Sequence, residues 1–151
     1  MTPGPSTTWL RAGLLLLAVL QTLVSVWQYF FPRSFYDDFP TVRLDPPYNE
    51  HLVTDIGGLG LALTAVLYVA ARTLDRNVVL SALTGYLIYA ATHFAFHVRH
   101  FAHFSLRDAV GVGTGLGIEV ALALVLLLVA WRARRTAPAG SNGDAATSPG
   151  T

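Results

Sequence analysis

Apolar residues gather in four long runs along the chain. The first covers residues 10–31 with Arg11 as its only charge, and the second covers 52–71 with only Asp55. The third, 78–98, holds two histidines, and the fourth, 109–131, has only Glu119. Each is about 20 residues or slightly more, the length an α-helix needs to cross a ~30 Å hydrocarbon core. The breaks between them carry helix punctuation. Pro32 stops the first helix. Asp45, ahead of Pro46 and Pro47, suits a helix start because proline needs no hydrogen bond in a first turn. Residues 72–77, Arg-Thr-Leu-Asp-Arg-Asn, form a tight polar turn, and Ser105-Leu106-Arg107-Asp108 resembles a capping box with Asp in place of Glu. The early Arg and Leu-rich run resembles a signal peptide, but it stays apolar through Trp27-Gln28-Tyr29-Phe30-Phe31 and offers no small-x-small cleavage site. It is therefore expected to be a retained anchor.

This pattern predicts an all-α, polytopic membrane protein, a bundle of four transmembrane helices with both termini on one side. Residues 1–8 are expected to be a flexible arm, 9–135 the transmembrane domain, and 136–151, rich in Ala, Gly, Ser, Pro and Thr, a disordered tail. Residues 33–47 form the first loop, whose Phe35-Tyr36-Asp37-Asp38-Phe39-Pro40 stretch suits a membrane–water interface. Within the helices, polar and small residues line up. Gln21, Ser25 and Gln28 make one stripe of the first helix. His51, Asp55, Gly58, Ala62 and Ala65 make a polar-then-small stripe of the second, a composition that lets membrane helices approach closely. Ala82, Tyr86, Tyr89, His93, His97 and His100 share a face of the third. Gly111, Gly113, Gly115 and Gly117 give two overlapping GxxxG spacings in the fourth, with Asp108, Gly111, Gly115 and Glu119 aligned. These glycines read as packing residues.

Composition agrees with a membrane solvent: 53% of the 151 residues are hydrophobic and only 13% charged, against about 25% charged in soluble domains. The absence of cysteine removes disulfides, thiolate metal sites and cysteine nucleophiles. A formal net charge of +1 gives no footprint for nucleic acid. All ten basic residues are arginine, in an Ala/Leu/Val/Gly-rich background that fits a GC-rich bacterial genome. The end with the termini carries Arg11, Arg72, Arg76, Arg132, Arg134 and Arg135, and the other end Arg33, Arg43, Arg99 and Arg107 beside several acids. By the positive-inside rule the termini are expected in the cytoplasm of a bacterial plasma membrane.

Candidate chemistry centres on residues 93–103, which hold four of the five histidines. His93, His97 and His100 are four and three residues apart on one helical face, with His103 turned about 80° to its side. Imidazoles are scarce and costly in lipid, so a row of them points to metal, haem or proton chemistry. The expected topology brings His51, Asp55 and Glu50 to the same end as this row, with Glu119 near the depth of His93 and Gln28 at the outer level. Three readings stay open. His51, Asp55, His93, His97, His100 and Glu119 suit a transition metal such as Fe, Cu, Zn or Mn. His51 and one histidine of the third helix would suit haem as axial ligands. Tyr86, Tyr89, His93 and Glu119 would suit a proton relay, with Gln28, Glu50 and His103 as supporting groups. The bland competitors are that His100 and His103 face headgroups, that Asp55 is a helix-start carboxylate favoured by the dipole, and that Glu50 and Arg99 are solvated. The chain lacks HExxH, P-loop and GxSxG motifs and the Glu-x-x-His pairs of di-iron bundles. Its five histidines are too few for the several His clusters of membrane desaturases and hydroxylases.

Four spans, a Pro-containing aromatic and acidic first loop, and the Gly-rich opening Asp55-Ile56-Gly57-Gly58-Leu59-Gly60-Leu61-Ala62-Leu63 together resemble the DoxX-like bacterial membrane proteins across residues 10–131. The resemblance implies a four-helix inner-membrane bundle, with some members tied to quinone-linked sulfur oxidation or redox complexes. No motif of that family supplies the 93–103 histidine run. The leading expectation is a His/carboxylate site near the outer face that binds a metal or haem for redox work. The alternatives are a non-catalytic accessory subunit joined to another membrane protein, and a proton-coupled transporter component that dimerises. Membrane lipid, a second copy and another membrane protein are the expected partners.

Overall fold

The computed structural model describes residues 5–44 and 47–133. Among them there is no strand. The order is α1 (Pro5–Phe30), α2 (Pro32–Asp38), a 3-10 turn (Val42–Leu44), α3 (Glu50–Thr73), α4 (Arg76–His100), a second 3-10 turn (Phe101–His103) and α5 (Leu106–Arg132). Helices α1, α3, α4 and α5 are each long and apolar enough to cross a membrane, which gives an all-α protein of the multi-pass type.

Local chemistry sets the boundaries. Asn49 caps α3, accepting from the Leu52 N–H at 3.1 Å, so this helix starts at Glu50 and not at Asp45-Pro46-Pro47 as the prolines suggested; Asp45 and Pro46 lie outside the described residues. At the other end of α3, Leu74 adopts a left-handed conformation (φ 50°) that glycine usually supplies. Its side chain packs on the core, which offsets the ~1–2 kcal/mol cost of that conformation. Asp75 then caps α4 through the N–H groups of Asn77 and Val78, both at 3.0 Å. Ser105 caps α5, accepting from the Asp108 N–H at 3.2 Å and donating its hydroxyl to Asp108 Oδ2 at 2.7 Å. The shorter Asp thus meets the Ser hydroxyl where a Glu would reach back to the backbone.

Two expectations about loops change. Helix α1 begins at Pro5, inside the expected arm 1–8, because proline's fixed φ suits a first helical turn; residues 1–4 lie outside the described set. The first loop holds a helix of its own, with Pro32 both ending α1 and opening α2. Helix α2 is pinned by aromatic rings: Trp27 meets Phe35 and Phe39 at centroid distances of 5.9 and 6.0 Å. The Trp27 indole N–H donates to Ser34 Oγ at 3.1 Å. The expected tail 136–151 lies outside the described residues.

The four long helices form a ring in which α1 packs on α3 and α5, and α4 packs on α5 and α3. Neighbours run antiparallel. Arg11 Nε donates to the Ala71 carbonyl at 3.1 Å, and Gly13 faces the Leu126 side chain. The start of α1, the α3–α4 turn and the end of α5 therefore share one end, called here the terminal end. The loop end carries α2, the start of α3, the end of α4 and the start of α5.

The core is confined to the terminal half. Its buried residues are Leu14, Leu17 and Ala18 of α1, Leu67, Ala70 and Ala71 of α3, Val79, Ala82, Leu83, Tyr86 and Ala90 of α4, and Ala123, Leu126 and Ala130 of α5. Toward the loop end the ring divides into two pairs. Helices α1 and α3 stay tight because Gly57 and Gly60 present no side chain. A methyl at Gly57 would meet the Tyr29 backbone nitrogen at 2.6 Å, and one at Gly60 the Ser25 hydroxyl and, at 2.6 Å, Gln21 Nε2. Helices α4 and α5 stay together through Phe101 on Gly113 and Phe94 on Gly117. Between the pairs, the inward face of α4 goes from Val79, Ala82 and Tyr86, at most 3% exposed, to exposed His93 and His100. The rise in exposure along this face marks an opening of the bundle, a cleft, at its loop end.

Candidate functional site

The floor of this cleft is a carboxylate. Glu119, half-buried on α5, accepts a hydrogen bond from the hydroxyl of Tyr86, which is buried on α4. From there the rings of α4 climb toward the loop end. Tyr86 and Tyr89 have centroids 6.2 Å apart. Tyr89 and His93 are 5.9 Å apart and nearly parallel, at 8°. His93 and His97 meet edge-on at 4.7 Å. The i, i+3, i+4 spacing that aligned these positions in sequence places them one above another on a single helical face. The helix thereby builds a polar ladder about 16 Å long, from Tyr86 to His97, at 1.5 Å per residue.

Helix α1 meets the ladder at the level of Tyr89. Gln21 lies beside the Tyr89 side chain and donates to Ser25 Oγ at 2.9 Å. Both are buried, at 4% and 0% exposure, against the glycine face of α3. Gln21 and Ser25 were not among the expected site residues. Their signal was the polar stripe with Gln28, which the structure buries whole. Gln28 Oε1 and Thr64 Oγ1 are enclosed with no hydrogen-bond partner among the described residues.

The other expected site residues stand apart from the ladder. His51 Nε2 lies 3.1 Å from Asp55 Oδ2, but the two side chains are 87% and 63% exposed. The expected stripe of α3 was out of phase. Gly57 and Gly60 face α1, and the ~100° step per residue puts His51 and Asp55 about 140–240° away from them, on the back of the helix. Among the described residues a methyl at Gly58 would meet only the edge of the Tyr29 ring, at 3.6 Å, and Ala62 and Ala65 are exposed. Glu50 is exposed beside Arg33 and Tyr48, where the guanidinium lies 5.0 Å from the ring centroid. His100 stacks on Phe96 at 4.1 Å and places Nδ1 2.7 Å from the Phe96 carbonyl. His103 is exposed on the second 3-10 turn. Glu119 pairs with Tyr86, two turns deeper than the expected level of His93. In consequence, among the described residues no three His, Asp or Glu side chains gather closely enough to hold a metal ion. The four-residue step between His51 and Asp55 makes a local pair and not one wall of a shared centre.

The chain matches no known protein family, no characterised protein and no solved structure.

Proposed function

We propose that the chain is a proton-handling component of a bacterial plasma membrane, with Glu119 as the proton-exchanging group and Tyr86, Tyr89, His93 and His97 as its path to the loop end. The observation that carries this reading is the Tyr86–Glu119 hydrogen bond at the inner end of an unbroken run of phenol and imidazole rings. A carboxyl in mid-span costs about 3 kcal/mol on insertion scales and marks ion or proton pathways by default. Phenol and imidazole both donate and accept, so each can receive a proton on one side and release one on the other. Water entering the open cleft bridges rings too far apart for direct hydrogen bonds. The core of the terminal half closes the inner end, so the path is a half-channel, and exchange with the far side needs a conformational change or a partner subunit.

The arginine asymmetry supports placing the termini in the cytoplasm and the cleft mouth outside. The likeness to DoxX-like proteins agrees with the four-helix plan and contributes no residue of the ladder. Purified protein in vesicles with an internal pH dye and a potassium diffusion potential tests the reading. Wild-type protein is expected to speed proton entry over empty vesicles, and Glu119→Gln to abolish at least nine-tenths of that gain. Vesicles in which wild type and Glu119→Gln behave alike would sink the proposal.

A further inference from the structure

A second polar feature lies at the opposite end of the bundle and is independent of the ladder. Thr7 and Leu10 of α1, Leu74 and Arg76 at the α3–α4 turn, Val79 of α4, and Val129, Ala130 and Ala133 of α5 border a cleft of about 220 Å³. The residues that border it are aliphatic apart from Thr7 and Arg76. Arg76 Nε is enclosed and has no hydrogen-bond partner among the described residues, a costly arrangement for a charged donor. The adjacent carboxylate does not serve it: Asp75 turns Oδ1 to the first N–H groups of α4.

Position says what kind of molecule would satisfy both the guanidinium and the walls. Trp9 and Trp131 are 76% and 45% exposed at this end, where indole rings mark the headgroup level of a bilayer. Among the described residues the terminal end carries Arg11, Arg72, Arg76 and Arg132 against the single acid Asp75. Arg11 is already committed to the Ala71 carbonyl. At the headgroup level, a cleft bordered by aliphatic side chains and one arginine matches an amphiphile with an anionic head: the phosphodiester meets the terminal N–H groups of Arg76 and an acyl chain meets the aliphatic side chains.

We infer that the cleft bordered by Arg76, Leu10, Leu74 and Val129 is a binding site for one anionic phospholipid, held by its phosphodiester at Arg76. The site fastens the start of α1, the α3–α4 turn and the end of α5 to one another through the lipid.

Full-length protein purified in mild detergent, delipidated, and titrated with phosphatidylglycerol, phosphatidylcholine or soluble glycerol phosphate provides the test, with bound lipid counted by native mass spectrometry. Wild type is expected to retain one phosphatidylglycerol in preference to phosphatidylcholine. Arg76→Gln should lower that retention about fivefold, the worth of one arginine near an anionic surface. Arg72→Gln, an exposed arginine outside the cleft, should retain lipid as wild type does. Each variant is first shown to elute and melt like wild type without lipid, and an Ala133→Trp variant that obstructs the cleft gives a second route to the same loss. Equal losses in Arg72→Gln and Arg76→Gln would reduce the effect to diffuse surface charge and overturn the site. Retention of glycerol phosphate equal to that of phosphatidylglycerol would overturn the lipid and leave a phosphate site.

Discussion

Glycine carries opposite meanings at two places in this chain. Gly60 admits the Ser25 and Gln21 side chains into the space of a missing methyl, whereas a methyl on Gly111 or Gly115 would meet no neighbouring element within 4 Å among the described residues. Gly60→Ala is therefore expected to destabilise the α1–α3 pair by about 1–3 kcal/mol through overpacking, read as a lower melting temperature in detergent. Gly115→Ala should be neutral or stabilising by up to about 1 kcal/mol, because alanine is the better helix former. A strong loss at Gly115 would mean that another chain occupies that face. Sequence spacing alone could not make this distinction: GxxxG was visible in α5, but which faces are covered depends on where the neighbouring helices run. Histidine shows the same limit. The His93/His97 alignment was legible because it is local to one helix, whereas convergence with His51 and Asp55 required the phase of α3 to be known. Elemental analysis with a visible spectrum on the purified protein checks this point. The expected result is no stoichiometric metal and no Soret band; a bound metal lost in a His93→Ala/His97→Ala variant would restore the metal reading.

At the scale of elements, the four long helices were legible because length and apolarity are properties of the solvent they cross, independent of tertiary detail. Helix α2 was not. Its seven residues, Pro32–Asp38, are too few for a periodic signal, and tertiary contacts hold them helical. Trp27 supplies most of those contacts, through edge-on rings with Phe35 and Phe39 and the hydrogen bond to Ser34. Ser34 in turn donates to Asp38 Oδ2 at 2.9 Å, and Arg33 pairs with Asp37 at 2.7 Å on the wet side. Trp27→Ala should cost about 1–3 kcal/mol, given roughly 0.5–1.5 kcal/mol for each aromatic pair. The loss should be local. Limited proteolysis within residues 33–44 is expected to accelerate while the helical circular dichroism of the long helices is kept. An unchanged cleavage rate would mean that α2 is held by the bilayer surface and not by Trp27.

The whole molecule is polar in two senses, packing and charge, and the two run together. The terminal half is closed by the core and carries four arginines against Asp75 among the described residues. The loop half is split by the cleft and carries Arg33, Arg43, Arg99 and Arg107 against Asp37, Asp38, Glu50, Asp55 and Asp108. That asymmetry was legible in the sequence, because charge placement needs only the order of the spans. The division of the ring into an α1–α3 pair and an α4–α5 pair was not, since it depends on Gly57, Gly60 and the Phe94 and Phe101 rings meeting particular neighbours. If arginine sets orientation, the closed end faces the cytoplasm and the cleft opens outward. The absence of cysteine makes this directly readable, because a single introduced thiol has no background. Ala102→Cys, exposed on the second 3-10 turn, should react with a membrane-impermeant maleimide in intact cells. Asn77→Cys, exposed in the first turn of α4, should react only after the membrane is opened. The reverse pattern would turn the cleft toward the cytoplasm. Glu119 would then exchange protons with the cell interior, and the cleft of Arg76 would meet the outer leaflet.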